Sequence, residues 1–262
     1  MKTFGLAVVR EMHRRFSSKP LPDRVSVLFH ELERPQWRAF TELIEYFSGQ
    51  GYRCVDAHEF VWGQGPDKRL FVSFDDNHRS WHEALPLLER TGTRATFYVN
   101  TLPFRDTASP AEIESYFDRI RFHGKRAPLS RQELRELAQA GHDIGCHSHS
   151  HFVLSDLRKD QWDAELRASK ARLEEIVDRP VRHFAFPFGM PRHFSQPLRA
   201  YCAAIGFETI AAAVVGHQVV AAADALNLQR TSVSLSDVLP KTLVRLRIDG
   251  RLFTRITGRS AA

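Results

Sequence analysis

Short apolar runs alternate with amphipathic segments along most of the chain. The apolar runs are rich in β-branched and aromatic residues, as expected of strands that are buried on both faces. The predicted strands are 24–29, 69–74, 93–99, 143–146, 181–186, 207–211 and 226–230. In the segments between them, apolar residues recur at intervals of three and four, which is typical of helices. The predicted helices are 36–50, 82–91, 110–121, 130–140, 160–176 and 201–205.

Strands that alternate with helices indicate a mainly parallel sheet, and about seven such units in 262 residues favour a closed or nearly closed barrel. The expected fold class is therefore α/β, a distorted (β/α) barrel of about seven parallel strands. No internal repeat or low-complexity linker divides the chain. We expect one catalytic domain over 25–240, between a basic N-terminal segment, 1–24, and a basic C-terminal tail, 241–262.

The net charge of +6 is concentrated at the two ends, since residues 1–24 carry +4, residues 241–262 carry +5, and the body of the chain is left at −3. This distribution argues against nucleic acid as a partner, because a surface that tracks phosphates needs its Lys and Arg on the folded body. In the tail, apolar residues such as Leu243, Leu246 and Phe253 alternate with arginines, so peripheral contact with an anionic membrane is one hypothesis. A solvated terminal segment is the alternative.

The cysteines and the apolar runs of the chain indicate its cellular compartment. The three cysteines, Cys54, Cys146 and Cys202, are an odd number without a close pair, which is typical of neither a disulfide framework nor a zinc-cysteine site. No apolar run approaches the roughly 20 residues that span a bilayer, and no convincing secretory signal is present. We expect a cytoplasmic protein, with membrane association through the basic ends as the alternative.

Two polar clusters follow predicted strands. Asp75 and Asp76 come directly after strand 69–74, and adjacent carboxylates are tolerated best when a cation or a proton offsets their repulsion. His147 and His151 follow strand 143–146; two imidazoles four positions apart can bind one cation, with a carboxylate from elsewhere as the third ligand. Surface turns are the alternative for both clusters. We assign no ligand role to His149, which lies between the other two histidines.

Four segments, in this order, carry a family resemblance: 71–76 (Phe-Val-Ser-Phe-Asp-Asp), 95–99 (Ala-Thr-Phe-Tyr-Val), 141–151 (Gly-His-Asp-Ile-Gly-Cys-His-Ser-His-Ser-His) and 184–189 (Phe-Ala-Phe-Pro-Phe-Gly). They resemble motifs of the polysaccharide deacetylases, the chitooligosaccharide deacetylase-like esterases that share the NodB homology domain (carbohydrate esterase family four). The resemblance covers roughly residues 25–230. Each segment by itself is weak evidence for the family, whereas the four segments in this order are specific evidence for it.

The resemblance implies a distorted (β/α) barrel of the deacetylase type and removal of N-acetyl groups from an N-acetylated glycan or glycolipid. It implies a divalent metal, Zn²⁺ first and Co²⁺ or a similar ion as the alternative, with Asp75 as the catalytic base. The metal ligands that it implies are Asp76, His147 and His151. Pro187 and Phe188 would line the substrate groove.

Three departures from the family pattern matter. Many members have an Arg that holds the catalytic Asp where this chain has Ala185. Asp75 must therefore be oriented by Arg230 or by the metal site itself. Arg230 is also predicted to be among the residues that contact substrate. Asn77 stands where a glycine often follows the two aspartates, and Asn tolerates a left-handed backbone better than most residues.

The general acid is the third departure, since no Leu-x-His lies near the C-terminus, where the family usually keeps this group. A similar string, Leu28-Phe29-His30, ends the first predicted strand, and the first and last strands of a closed barrel are neighbours. His30 is therefore the candidate acid, with a histidine that only orients substrate or a ligand as the alternative. His193 and His217 are fallback candidates.

The sequence therefore predicts a metal-dependent deacetylase that hydrolyses the C–N bond of an N-acetylated sugar. Two alternatives stay open. One is a catalytically impaired relative that binds carbohydrate or metal, which the missing Arg and the missing C-terminal acid motivate. The other is an amidase that acts on a lipid-linked sugar or another C–N substrate.

Overall fold

The computed structural model describes residues 20–214 and 222–247. Its strands are β1 (Arg24–Phe29), β2 (Tyr52–Val55), β3 (Lys68–Asp76), β4 (Thr96–Val99), β5 (Asp143–Cys146), β6 (His183–Ala185), β7 (Thr209–Ala213) and β8 (Leu228–Ser232). Its α-helices are α1 (Trp37–Gly49), α2 (Ala57–Trp62), α3 (Ser80–Glu83), α4 (Leu85–Arg90), α5 (Pro110–Arg119), α6 (Arg131–Gln139), α7 (Ala168–Val177), α8 (Gln196–Ala204) and α9 (Leu239–Leu246).

Seven parallel strands close into a barrel in the order β1-β3-β4-β5-β6-β7-β8, with β8 pairing back to β1. The long strand β3 makes this possible, because one of its edges pairs with β1 along 69–74. Its other edge pairs first with β2 and then, near its carboxyl end, with β4. The predicted fold class, a distorted (β/α) barrel of about seven parallel strands, is confirmed. The short strand β2 is an additional strand outside the ring.

The alternation of side chains along the strands separates two apolar regions. A small cluster takes one residue from each of five strands of the ring, so it fills the barrel interior: Phe71, Tyr98, Ala185, Ala211 and Leu228. A larger cluster packs the outward-facing residues of the strands against the helices. In β3, Ser73 and Asp75 are on the same side as Phe71, and in β8 Arg230 is on the same side as Leu228. Asp75 and Arg230 therefore both face the interior.

Several elements differ from the sequence prediction in their extent. Helix α8 begins five residues before the predicted 201–205, because Ser195 caps its first turn and a proline occupies its start. The predicted helix 82–91 is two short helices, α3 and α4. The predicted helix 160–176 begins with a π-helical turn over Asp163–Arg167 before α7. The sequence did not predict β2, α2 or α9.

The chain ends lie partly outside the described residues. Residues 1–19, His217 and the tail beyond 247 are not described, and helix α9 crosses the domain boundary that was placed after residue 240. Leu243 and Leu246 of α9 are buried in the main core, so these two tail residues are unavailable to a lipid surface. Within the described parts of the chain, no helix is both long and apolar enough to cross a membrane.

Candidate metal centre and active site

Asp76, His147 and His151 come together at the carboxyl ends of β3 and β5, and all three are buried. One Asp76 oxygen, Oδ1, lies 3.6 Å from His147 Nε2 and 3.3 Å from His151 Nε2. The candidate ligand atoms of the three residues all lie within 4.8 Å of one another. Their chemistry, two imidazole nitrogens and a carboxylate, suits Zn²⁺ or a similar divalent ion. The residues therefore fit a metal that the sequence resemblance implies.

The tautomer of His147 is set by its neighbour in the barrel. The Nδ1 atom lies 2.7 Å from the carbonyl oxygen of Ala185, so Nδ1 carries the proton and donates it. This leaves a lone pair on Nε2, the atom that faces Asp76. Burial lowers the pKa of His147 to about 4, so the ring is neutral at ordinary pH. A neutral ring with a free Nε2 is the form that binds a metal.

Asp76 is held ionised by its surroundings. Burial opposes ionisation, but contacts with the imidazoles of His151 and His78 outweigh it and hold the pKa of Asp76 well below its ordinary range. The second carboxylate oxygen, Oδ2, faces His78 Nε2 at 3.7 Å. His78 is buried, and its Nε2 makes no hydrogen bond within the described part of the chain. Oδ1 and Oδ2 of Asp76 therefore have different roles, since Oδ1 faces the two candidate ligands.

The loop that carries the histidines is shaped by left-handed residues. Ser148 and His151 have φ angles of 68° and 61°, and the Ser148 hydroxyl accepts a hydrogen bond of 3.2 Å from the His151 N–H. Next to them, the Ser150 N–H and hydroxyl both donate to the buried Glu165 carboxylate. The resulting turn directs His147 and His151 to the same point. His149 points elsewhere, with Nδ1 2.9 Å from the Thr101 hydroxyl, in line with its assignment as a non-ligand.

Asn100 connects the two halves of the site. Its side-chain amide donates to the carbonyl oxygens of His147 and Ser148, and its backbone N–H donates to the Asp76 carbonyl at 2.9 Å. The side-chain oxygen accepts a hydrogen bond of 2.8 Å from Tyr116, whose hydroxyl is buried. One residue at the end of β4 thus fixes the backbone of β3 relative to that of β5. Because this network is fully buried, it holds the ligands in place before any metal binds.

The residue with a left-handed backbone at the end of β3 is not the one that the sequence suggested. Asp76 itself has a φ of 87°, whereas Asn77 is not among the described residues with positive φ. Asn77 is required for its side chain instead: its amide nitrogen donates to the Asn100 carbonyl and its oxygen accepts from the Leu129 N–H. A glycine at this position would lack both bonds. The interpretation of Asn77 as a substitute for a flexible glycine is therefore corrected.

Asp75 forms a buried ion pair with Arg230 across the barrel interior. Arg230 Nη1 lies 2.6 Å from Asp75 Oδ1 and Nη2 lies 2.8 Å from Oδ2, a bidentate geometry. Arg230 is completely buried, also donates to the Ser73 hydroxyl, and lies over the Tyr98 ring at 4.7 Å. Arg230 therefore orients Asp75. The sequence left this role open, because Ala185 stands where the family pattern has an Arg. Arg230 is held by these contacts inside the barrel, and its direct contact with substrate stays a prediction.

His30 lies at the rim of the same end of the barrel. It follows β1, its side chain is exposed, and its carbonyl oxygen accepts a hydrogen bond from the Trp81 ring N–H. Phe29 pairs with Phe74, so His30 follows β1 at the level where Asp75 follows Phe74 in β3. A positive charge on His30 would help to lower the pKa of Asp76. His30 is thus near the candidate metal centre and open to solvent, as a proton donor to substrate must be.

Phe188 and Pro187 contribute differently to the groove. Phe188, with a φ of 62°, is 39% exposed, and its ring lies 4.7 Å from that of His151 and 5.5 Å from that of His193. Pro187 is buried. Gly189 follows with a φ of 61°, and any Cβ there would overlap Ala213, so the turn can approach β7 closely only with glycine. Phe188 can contact substrate, and Pro187 shapes the turn that presents it.

Sequence reasoning missed His78 and Asn100. His78 follows the motif at Asp75-Asp76-Asn77, and its proximity in sequence was the available signal. Nothing in the local sequence marks Asn100, because its partners lie 16 to 48 positions away and meet it only in the folded barrel.

Comparisons with known proteins identify the family and the fold of the chain. The family model described as "Polysaccharide deacetylase" matches residues 63–210, more than half of the chain. The Bacillus subtilis (strain 168) protein named "Putative polysaccharide deacetylase YxkH" is 21% identical over 169 residues, which are 62% of this chain and 53% of that protein. The chain thus spans about half the length of the curated relative that it matches.

Solved structures resemble the barrel. The Streptococcus pyogenes deacetylase PplD, in complex with acetate, superposes with a TM-score of 0.67 at 17% identity, over 86% of this chain and 98% of that one. IcaB from Ammonifex degensii gives a TM-score of 0.65 at 19% identity, over 87% and 98% of the two chains. At these identities the likeness establishes the fold, and the roles of individual residues rest on the geometry described above.

Proposed function

Because the chain belongs to the polysaccharide deacetylase family, we propose that it is a metal-dependent hydrolase that removes N-acetyl groups from an N-acetylated sugar of a polysaccharide or glycoconjugate. The observation that carries the proposal is the convergence of Asp76, His147 and His151 on one point beside Asp75, which Arg230 holds. A facial set of two imidazoles and one carboxylate leaves coordination positions open for reactants, as catalytic metal sites do.

Asp76, His147 and His151 would hold the divalent cation, with Zn²⁺ favoured and Co²⁺ as the alternative. When bound, such a cation acts as a Lewis acid that polarises the acetamide carbonyl and makes water a better nucleophile at neutral pH. The residues already have the states that this requires, since Asp76 is ionised and His147 is neutral with Nε2 free.

Asp75 is the proposed base, which takes the proton from the attacking water. The bidentate contact with Arg230 fixes both carboxylate oxygens, so the base does not rotate away from the water. His30, at the exposed rim, would donate a proton to the departing amine. The backbone N–H at Phe188 forms no hydrogen bond among those of the described residues, and we assign it to the carbonyl oxygen as negative charge develops there.

Two further hypotheses from the sequence receive less support. The catalytically impaired relative was motivated in part by the missing Arg at position 185, and Arg230 now supplies a cation to Asp75. The amidase on a lipid-linked sugar was motivated in part by the basic, partly apolar tail, and two apolar residues of that tail, Leu243 and Leu246, are buried. Deacetylation of a glycan remains the function that the site supports best.

An acetate-release assay tests the proposal. The purified chain is stripped with a chelator, reloaded with Zn²⁺ or Co²⁺, and incubated with N-acetylglucosamine oligomers. We expect acetate only after reloading, and we expect the Asp75→Asn variant to bind the metal but release little acetate. Metal binding by the wild type without acetate from any oligomer would instead support the impaired relative.

A further inference from the structure

The two histidines of the candidate metal centre are held in different ways. The His147 ring is fixed through Nδ1, which donates to the Ala185 carbonyl oxygen at 2.7 Å. The Nδ1 atom of His151 is buried and has no hydrogen-bond partner within the described part of the chain. The direction of the His151 ring toward Asp76 therefore depends chiefly on the backbone of the turn that carries it.

That backbone has a conformation which residues other than glycine rarely adopt. Ser148 and His151 have φ angles of 68° and 61°, in the left-handed region. Such a turn persists only where the surrounding structure holds it. Asn100 and Arg119 donate to the carbonyl oxygens of the turn. Its N–H groups at positions 149 and 150 need acceptors from another segment.

Glu165 supplies these acceptors. Its backbone carbonyl oxygen accepts a hydrogen bond of 2.9 Å from the His149 N–H, and its Oε2 atom accepts one of 3.0 Å from the Ser150 N–H. Its other carboxylate oxygen accepts from the Ser150 hydroxyl. One residue thus binds two consecutive N–H groups and a hydroxyl, all of them between the two histidine ligands.

The helix is irregular where it carries Glu165. The turn Asp163–Arg167 is π-helical, and the Ala168 N–H bonds to the carbonyl oxygen of Asp163, five positions earlier. A π-turn is wider than an α-turn and is found frequently at functional sites. Leu166 anchors this turn in the main core, while the neighbouring Glu165 reaches the turn that carries the histidines.

The burial of Glu165 distinguishes it from an ordinary carboxylate on a helix. Its exposure is 7%, and it forms no ion pair with any residue that the structure describes. A buried carboxylate without a cation opposes folding, and an apolar side chain of similar length would fill the same space without that penalty. Within the described residues, the side chain bonds only to Ser150. A role at the metal centre therefore explains Glu165 better than a contribution to stability does.

We propose that Glu165 is a positioning residue of the metal centre, which holds the turn so that His151 meets the same cation as the other two ligands. The inference rests on the proposed function, because it requires Asp76, His147 and His151 to bind a divalent cation. Glu165 touches neither the cation nor the substrate, and it acts through Ser150 and the turn.

The test replaces Glu165 with methionine, which keeps the length of the side chain and removes both side-chain acceptors. The affinity for Zn²⁺, measured by competition with a chelating dye, should fall about 10- to 100-fold, as is typical when a group that orients a metal ligand is removed. The visible absorption spectrum of the Co²⁺-loaded variant should also change, because it reports the geometry of the ligands. Thermal unfolding of the metal-free variant should match that of the wild type, since removal of a buried charge offsets the lost hydrogen bonds.

Further variants separate positioning from a general change in the helix. Glu165→Gln keeps an oxygen for the Ser150 N–H and gains an amide that can donate to the Ser150 hydroxyl, so it should restore most of the affinity and the wild-type spectrum. Glu174→Met is the matched control: Glu174 lies on α7, and it accepts a hydrogen bond of 3.0 Å from the Val181 N–H, before β6 and so at the opposite end of the barrel. This control should keep the wild-type affinity and spectrum.

Wild-type Zn²⁺ affinity and Co²⁺ spectrum in Glu165→Met would overturn the inference and leave the proposed function intact. Equal losses in Glu165→Met and Glu174→Met, or in Glu165→Met and Glu165→Gln, would also overturn it. If Glu165→Met does not fold, Ser150→Ala, which removes only the hydroxyl contact, must still lower the affinity for the inference to stand. A wild type that binds Zn²⁺ but releases no acetate would refute the deacetylase function, whereas the affinities would still decide the role of Glu165.

Discussion

Replacing Arg230 with methionine removes the guanidinium that holds Asp75 and keeps a side chain of similar length. In the structure this guanidinium makes two charge-assisted hydrogen bonds to Asp75 and further contacts to Ser73 and Tyr98, all within the barrel interior. The Arg230→Met variant would leave the Asp75 carboxylate buried without a cation. We expect lower stability and a slower reaction, for two separable reasons.

The magnitudes follow from burial. Both side chains of the pair are almost completely buried, at 0% and 6% exposure. Removing one partner of such a pair typically lowers the free energy of unfolding by about 3–5 kcal/mol, because the remaining charge is unpaired. Loss of the bidentate contact also frees the base to rotate, and a misplacement of about 1 Å lowers the rate by about a hundredfold.

A double-mutant cycle measures the coupling between the two side chains, and a control variant separates the loss of stability from the loss of rate. The Asp75→Asn substitution removes the charge, so the double variant should recover part of the stability that Arg230→Met loses, with a coupling energy of about 1–3 kcal/mol in urea unfolding. Arg69→Met is the matched control, since Arg69 is also fully buried but donates to the carbonyl oxygens of Gly63 and Gln64 at the other end of the interior. It should lower stability and leave kcat unchanged.

Wild-type kcat and an unchanged urea midpoint in Arg230→Met would refute the reasoning. Equal losses of kcat in Arg230→Met and Arg69→Met would also contradict it, because the effect would then be a general consequence of a weaker barrel interior.

Three other predictions concern the metal and the pH dependence of stability. Asp76→Ala and His147→Ala should lose both Zn²⁺ binding and acetate release, whereas Asp75→Asn should keep Zn²⁺ binding. Isothermal titration calorimetry measures the binding, and the acetate assay measures the activity. Tight metal binding by Asp76→Ala would contradict the ligand assignment. His78→Phe keeps the ring packing but removes the nitrogen that faces Asp76 Oδ2. The affinity for Zn²⁺ should therefore fall about 10- to 100-fold, with little change in thermal unfolding. An unchanged affinity would exclude a role of His78 in supporting Asp76 as a ligand. Burial, with the charges of nearby arginines, lowers the pKa of His142 to about 4, so the unfolded chain takes up a proton between about pH 6.5 and 4 that the folded chain does not. The stability of the metal-free protein should therefore fall as the pH falls through this window, by up to about 3 kcal/mol from His142, and His142→Phe should flatten the urea midpoints measured across it.

Much of the barrel could be predicted because its strands are continuous apolar runs, which parallel strands buried on both faces require. The sequence did not predict strand β2 and helix α2 because they are only 4 and 6 residues long, too short to show a periodic pattern. Strand β2 is positioned by its pairing with β3, a tertiary contact. Helix α8 was predicted too short because its first turn depends on a Ser195 cap and a proline, whereas the apolar periodicity begins later.

The site could be anticipated where its residues are contiguous. Asp75-Asp76 and His147 with His151 stand together in the sequence, and parallel strands bring their ends to one face. The pairing of Asp75 with Arg230 joins residues that are 155 positions apart, and only the closure of β8 on β1 makes it possible. The role of Asn77 could not be read from its type, because its partners, Asn100 and Leu129, lie in other segments.

The central claim is that Asp76, His147 and His151 bind one divalent cation together. Anomalous diffraction at the zinc absorption edge, from crystals of the Zn²⁺-loaded chain, tests it most directly. The account predicts one strong peak about 2.0–2.2 Å from an Asp76 oxygen, His147 Nε2 and a His151 ring nitrogen. A zinc peak bound elsewhere, with these three side chains unliganded while the protein releases acetate, would contradict it.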